Sequence, residues 1–244
     1  VYSVRDFSQR TSRNNDPGNW WRPCQVAGFD LSGNESSTFV DLAKGIQPLF
    51  ASCAPITIHA GEAMSAKNIW EAVYKLNAQR IGHGLRLRDD KKLLEHCVRN
   101  DICMELCPVS NDFTNSFRPI LRFRSGIPVN RRELESQKRD QYPILDFLDA
   151  GLEVCLNTDN RSLHRTPTLT DEYLKAAELC GGLTKWDLLR ICKAGFKNAF
   201  LAKEDLASLL RHVEYEIYKI VSEHSGENYF PHVERYCPER TLGS

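Results

Sequence analysis

Five short apolar segments, at 25–31, 56–59, 80–84, 103–107 and 153–158, are followed or separated by stretches of helical period such as 65–76, 89–99, 144–149 and 170–179. This alternation constrains the fold more than any other feature. Two neighbouring parallel strands cannot be joined by a tight hairpin and need a crossover, usually a helix, so strand and helix in alternation predict an α/β fold with a parallel sheet. Two architectures satisfy it, an open doubly wound sheet and a closed barrel. No glycine-rich phosphate loop of either kind supports the open, nucleotide-binding version. The segment 185–224 is helix-rich and amphipathic, suited to covering the outside of a barrel.

The 244 residues, 41% of them apolar, are enough for one sizeable core and one domain. Lys+Arg and Asp+Glu number 32 each, so no global field favours nucleic acid or an anionic membrane, and a small or neutral partner is expected. Nine cysteines at irregular spacing, without a C-x2-C pair, fit reduced thiols and a cytoplasmic setting. No run of about 18 apolar residues and no signal-peptide core is visible, so a soluble protein is expected.

Each strand runs into polar residues or glycine: Asp30 to Glu35, His59 to Glu62, Gly82–His83–Gly84, Cys107 to Asn111, and Asn157 to Asn160. In a parallel barrel these ends converge on one face, where such barrels assemble their active sites. One His or Asp at a strand end is more often a cap or a hydrogen-bonded structural residue, and glycines there are often turn formers. Five coinciding ends are harder to explain that way. His59 and Asp159 offer an imidazole and a carboxylate, ligand types of a catalytic zinc with an open water position. Glu62, three residues after His59, is placed to pass protons beside a metal, and His83, between two glycines, to hydrogen-bond a water there.

The blocks V-A-G-F-D-L-S-G-N-E, T-I-H-A-G-E, R-I-G-H-G, M-E-L-C-P-V-S-N and L-N-T-D-N together resemble the adenosine deaminase family, over about 26–210. The resemblance implies a TIM-type (β/α)8 barrel of the metal-dependent hydrolase kind, of which this chain supplies about the last five strands. It implies a single domain: 1–23 a loop or helix remnant, 24–210 barrel strands four to eight with their helices, 211–244 a C-terminal helix and tail. It implies one Zn2+, ligated by His59 and Asp159, with Asp159 also catalytic in accepting a hydrogen bond from the attacking hydroxide. Glu62, held protonated, would donate to purine N1, His83 would orient or deprotonate the water, and the Gly33 N–H would meet purine N3. Adenosine or 2'-deoxyadenosine would then become inosine and ammonia.

Two departures matter. The family's zinc site also uses an H-x-H motif on its first strand, and none occurs among the seven His here, so residues 1–244 alone are expected to be inactive and a missing N-terminal segment to be needed, in cis or as a second chain. Asn160 stands where a second Asp facing purine N7 is commoner; an amide donates at any pH, so the swap is compatible with purine binding, and the T-D-N-R form resembles a bacterial subgroup of the family. Between Asn111 and Pro143 lies a basic insertion with Arg118, Arg122, Arg124, Arg131, Arg132, Lys138 and Arg139, either a solvated loop or a phosphate-binding one. Adenine, AMP or an N6-substituted adenine nucleotide therefore stand beside adenosine as substrates, and a non-catalytic purine-binding homologue is the alternative of another class. The cytidine-deaminase kind of site is disfavoured by the lack of P-C-x-x-C.

Overall fold

The computed structural model describes residues 3–4, 26–36, 39–117, 141–161 and 168–225. Their sheet is built from β1 (Ser3–Val4), β2 (Phe29–Ser32), β3 (Ile56–Ala60), β4 (Arg80–His83), β5 (Cys103–Leu106) and β6 (Val154–Leu156), each hydrogen-bonded to the next in sequence order. β1 runs antiparallel to β2, where the sequence reading has a loop or helix remnant; 5–25 lie outside the described residues. The other pairs, β2 to β6, are parallel. A doubly wound sheet reverses its strand order at a switch point, whereas an order that advances one strand at a time is that of a barrel wall. The five parallel strands are five consecutive staves of a (β/α)8 barrel.

The crossovers are helices. α1 (Phe39–Ala51) joins β2 to β3, α2 (Ala66–Leu76) joins β3 to β4, and a 3-10 turn (Leu85–Asp89) with α3 (Lys91–Arg99) joins β4 to β5. α4 (Pro108–Thr114) follows β5 directly, α5 (Ile144–Asp149) precedes β6, and α6 (Leu169–Cys180), α7 (Lys185–Lys197) and α8 (Lys203–Ser225) complete the described chain. Both strand faces are covered: Ile58, Ile81, Met104 and Leu106 are fully buried, in one core with Ile69, Ala72 and Leu76 of α2 and Ile144 and Phe147 of α5. α6 and α7 each begin with a capping box, Thr168 with Asp171 and Thr184 with Asp187, which satisfies backbone donors at both helix starts. The described cysteines all carry free thiols, as the irregular spacing led us to expect; Cys103 and Cys155 stand side by side on adjacent strands, their sulfurs 3.8 Å apart. Among the described residues no helix is long and apolar enough to cross a membrane.

Candidate active site at the strand ends

His59 is the last residue but one of β3 and lies beside Gly82 of β4, its register partner. A Cβ at position 82 would overlap His59 Cδ2, so only glycine lets the imidazole lie across the neighbouring strand. One His59 nitrogen, Nε2, lies 3.5 Å from Asp30 Oδ1, a carboxylate buried within β2. The His59 and His83 rings meet edge to face, centroids 5.0 Å apart at 83°.

His83 is buried and lies in the left-handed region at φ 64°, and Asp159 lies there too at φ 50°. Neither is glycine, and strain of this kind persists where surrounding structure imposes it, most often at functional sites. Burial lowers the His83 pKa below its ordinary value; Glu62 opposes the shift, His59 adds to it, and Asp159 and Glu35 oppose it in turn. His83 is therefore a neutral imidazole at neutral pH.

A hydrogen-bond relay fixes which nitrogen faces the site. The buried Tyr142 hydroxyl donates to Asn111 Oδ1 at 2.7 Å, which orients the amide so that Asn111 Nδ2 faces His83 Nδ1 at 3.0 Å and donates to Glu62 Oε1 at 3.2 Å. With Nδ1 accepting, the proton of neutral His83 sits on Nε2, 3.5 Å from Glu62 Oε2. Thr114 adds a hydroxyl donated to Glu62 Oε1 at 3.1 Å. Burial holds the Tyr142 hydroxyl well above its ordinary pKa, so it stays a donor. Asp159 is oriented separately by Ser110 Oγ, which donates to Oδ2 at 2.7 Å.

The structure thus brings His59, Glu62, His83 and Asp159 to one end of the barrel. Gly33 sits exposed on the loop after β2, and Asn160 is exposed beside Asp159. Asp30, Glu35, Ser110, Asn111, Thr114, Tyr142 and Glu172 were given no role from sequence. Ser110 and Asn111 are visible there as a polar pair after a Cys-Pro strand end, on what becomes a short helix led by Pro108 at its first turn. Glu172 is buried on α6, with Oε2 accepting the Val109 N–H at 2.9 Å and Oε1 without a hydrogen-bond partner among the described residues; burial raises its pKa to about 7. For a metal, His59 and Asp159 are donors of the right chemistry, an imidazole and a carboxylate that both act on His83. Among the described residues no group of three or more His, Cys, Asp or Glu is arranged to hold a metal ion.

Fold and strand-end cluster together define a (β/α)-barrel protein of the kind that places its chemistry at the carboxyl ends of its strands. The chain belongs to the adenosine deaminase family, whose model matches residues 17–124 and 127–216. It is 34% identical over 189 residues to the adenosine deaminase of Enterococcus faecalis, covering 76% of this chain and 49% of that protein. It is 32% identical over 209 residues to that of Aliivibrio fischeri, covering 84% and 56%. The chain spans about half the length of the curated relatives it matches. Its fold is similar to a zinc-bound amidohydrolase from Burkhoderia ambifaria (TM-score 0.66, 20% identity, 84% of this chain and 52% of that one). It is also similar to the N6-methyl-AMP deaminase of Arabidopsis thaliana (TM-score 0.60, 24% identity, 79% and 50%) and to an adenine deaminase of Arthrobacter aurescens (TM-score 0.61, 22% identity, 79% and 53%).

Proposed function

We propose that the protein carrying this chain hydrolyses adenosine or 2'-deoxyadenosine to inosine and ammonia, with the cluster at the ends of β3, β4 and β6 as the carboxyl-terminal half of its active site. The observation that carries the reading is the convergence of His59, Glu62 and Asp159 around the buried, neutral His83 in a chain of this family. His59 and Asp159 hold a zinc ion together with ligands from outside the described residues. Zinc, when bound, supplies Lewis-acid activation of the attacking water. The chain's own residues do the rest. Glu62 faces purine N1 and delivers a proton there as water adds to C6, which leaves C6 tetrahedral and its amino group ready to leave as ammonia. His83 orients the water by donating its Nε2–H, since its Nδ1 is taken by Asn111, and the Asp159 carboxylate takes the water's proton and passes it to the departing amino group. The Gly33 N–H holds purine N3, and the Asn160 amide donates to N7.

Deamination of adenine, AMP or an N6-substituted adenine nucleotide is the second reading. It draws on the fold shared with adenine and N6-methyl-AMP deaminases and on the seven basic residues between 118 and 139, which lie outside the described residues. Assaying the intact protein on adenine, adenosine, AMP and N6-methyl-AMP separates these, with adenosine expected to be fastest by kcat/KM. Glu62→Gln should keep full zinc content while losing several orders of magnitude in rate. Equal loss of zinc would refute the proton-donor role. Stoichiometric zinc with no turnover of any of the four would favour a purine-binding homologue.

A further inference from the structure

Glu35 stands five residues beyond Asp30, in the loop after β2, and its carboxylate reaches into the next strand–helix junction. Oε1 accepts the backbone N–H of Glu62 at 2.9 Å; Oε2 accepts those of Ala63 at 3.1 Å and Met64 at 2.8 Å. These three donors lie in the bend between β3 and α2, and helix α2 has no side-chain cap from Ser65, so a single carboxylate serves the whole junction. Asn68, in the first turn of α2, returns a bond from its Nδ2 to the Glu35 carbonyl at 2.8 Å. Four hydrogen bonds, three of them charge-assisted, therefore cross from the loop of Gly33 to the loop of Glu62. The tip of the first loop is closed locally by Asn34 Oδ1, which accepts the N–H of Ser36 at 3.0 Å and its hydroxyl at 2.8 Å. The Glu62 side chain is gripped separately, by Asn111 and Thr114, so Glu35 acts on the main chain of Glu62 and on nothing further along it.

Purine N1 and N3 are separated by a single ring carbon on a rigid ring. Two protein groups that read them must be held at one spacing, and here they come from different loops on different strands. We propose that Glu35 is the positioning residue that sets this spacing, locking the Gly33 N–H and the Glu62 carboxyl into a single gauge for the two nitrogens of the purine's six-membered ring. The proposal rests on the purine reading given above. It makes the N3 contact worth most when the clamp is intact.

The test uses the intact zinc-loaded protein and two ligands, adenosine and its 3-deaza analogue, in which a C–H replaces N3. In the native protein adenosine should be favoured at least about tenfold, the value of one hydrogen bond made in a preorganised site. Glu35→Gln keeps the shape but turns an amide N–H toward backbone donors. It should collapse that preference toward unity and lower kcat with zinc content unchanged, and Glu35→Asp, one methylene shorter, should behave alike. A fall in rate equal for both ligands, with the N3 preference intact, would overturn the proposal and leave Glu35 a merely structural residue. If the native protein itself shows no N3 preference, the purine reading of Gly33 fails, a distinct result from failure of the clamp. Should both variants fail to fold, hydrogen exchange in the native protein decides: the Glu62, Ala63 and Met64 amides are protected if Glu35 holds them, and free exchange overturns the proposal.

Discussion

Replacing Glu172 by glutamine should stabilise this protein, and by an amount that depends on pH. The carboxyl is fully buried at the start of α6, with one oxygen on the Val109 N–H and the other without a hydrogen-bond partner among the described residues. Burial raises its pKa from 4.5 to about 7. Because the folded value lies above the unfolded one, the native state binds more protons than the unfolded chain between pH 4.5 and 7, and stability falls as pH rises through that window. At pH 8 the ionised, half-satisfied carboxylate costs about 3 kcal/mol. Glutamine keeps an oxygen for Val109 and never ionises, so the variant should match the native protein near pH 4.5 and exceed it increasingly up to pH 7. Urea unfolding at fixed zinc concentration, from pH 5 to 8.5, reads this as a gap between midpoints that opens with pH. Other titrating groups are common to both proteins and cancel in the difference. Parallel curves across the range would refute the reasoning and mean that Glu172 is ionised and satisfied throughout.

His59→Ala should lose metal and activity together; full zinc occupancy by elemental analysis would show that His59 is no ligand. Gly82→Ala must displace the His59 ring, since the added methyl overlaps Cδ2, and should lower zinc affinity tenfold or more by about the loss seen when supporting contacts of a ligand are disturbed, with little change in helix content by circular dichroism. Unaltered zinc affinity would show that the ring has room elsewhere. Asn160→Asp should leave an active enzyme whose purine binding weakens as pH rises, because a carboxyl donates to N7 only when protonated. An unchanged pH profile would place Asn160 away from N7 or leave the new acid neutral, and a 7-deaza ligand separates the two.

The parallel strands were legible because each carries a short buried apolar stretch, Ile56 to Ile58 in β3 apart from Thr57, Ile81 in β4, and Cys103 and Met104 in β5, bounded by polar residues and alternating with stretches of helical period. Helix α1, which carries Pro48 inside it, gave no comparable periodic stretch, and α4 was hidden because seven residues led by proline look like a loop following a strand. The reactive quartet was legible because His, Glu and Asp at strand ends are unusual as a set. Its support was not. Tyr142 reaches Asn111 across 31 positions, Ser110 reaches Asp159 across 49, and Glu35 reaches Glu62 across 27. A hydroxyl, an amide or a carboxylate at one position carries no trace of a partner so far along the chain, and only the register of neighbouring strands brings them together.

The relay through Tyr142 also bears on how a barrel of this kind changes its repertoire. Phe117 and Tyr142 pack edge to face with centroids 5.4 Å apart, and Tyr142 is pinned onto Asn111 of the helix from which Phe117 follows. The chain therefore leaves the active-site face and returns to it at one spot, with both ends already anchored in the core. Lengthening a closed loop adds little entropy beyond its first residues. With the two rings fixing both ends of that crossing, and Asn111 holding His83 and Glu62 from the same helix, a change in the length of chain between the rings costs little and leaves the bonds to the proton-handling groups in place.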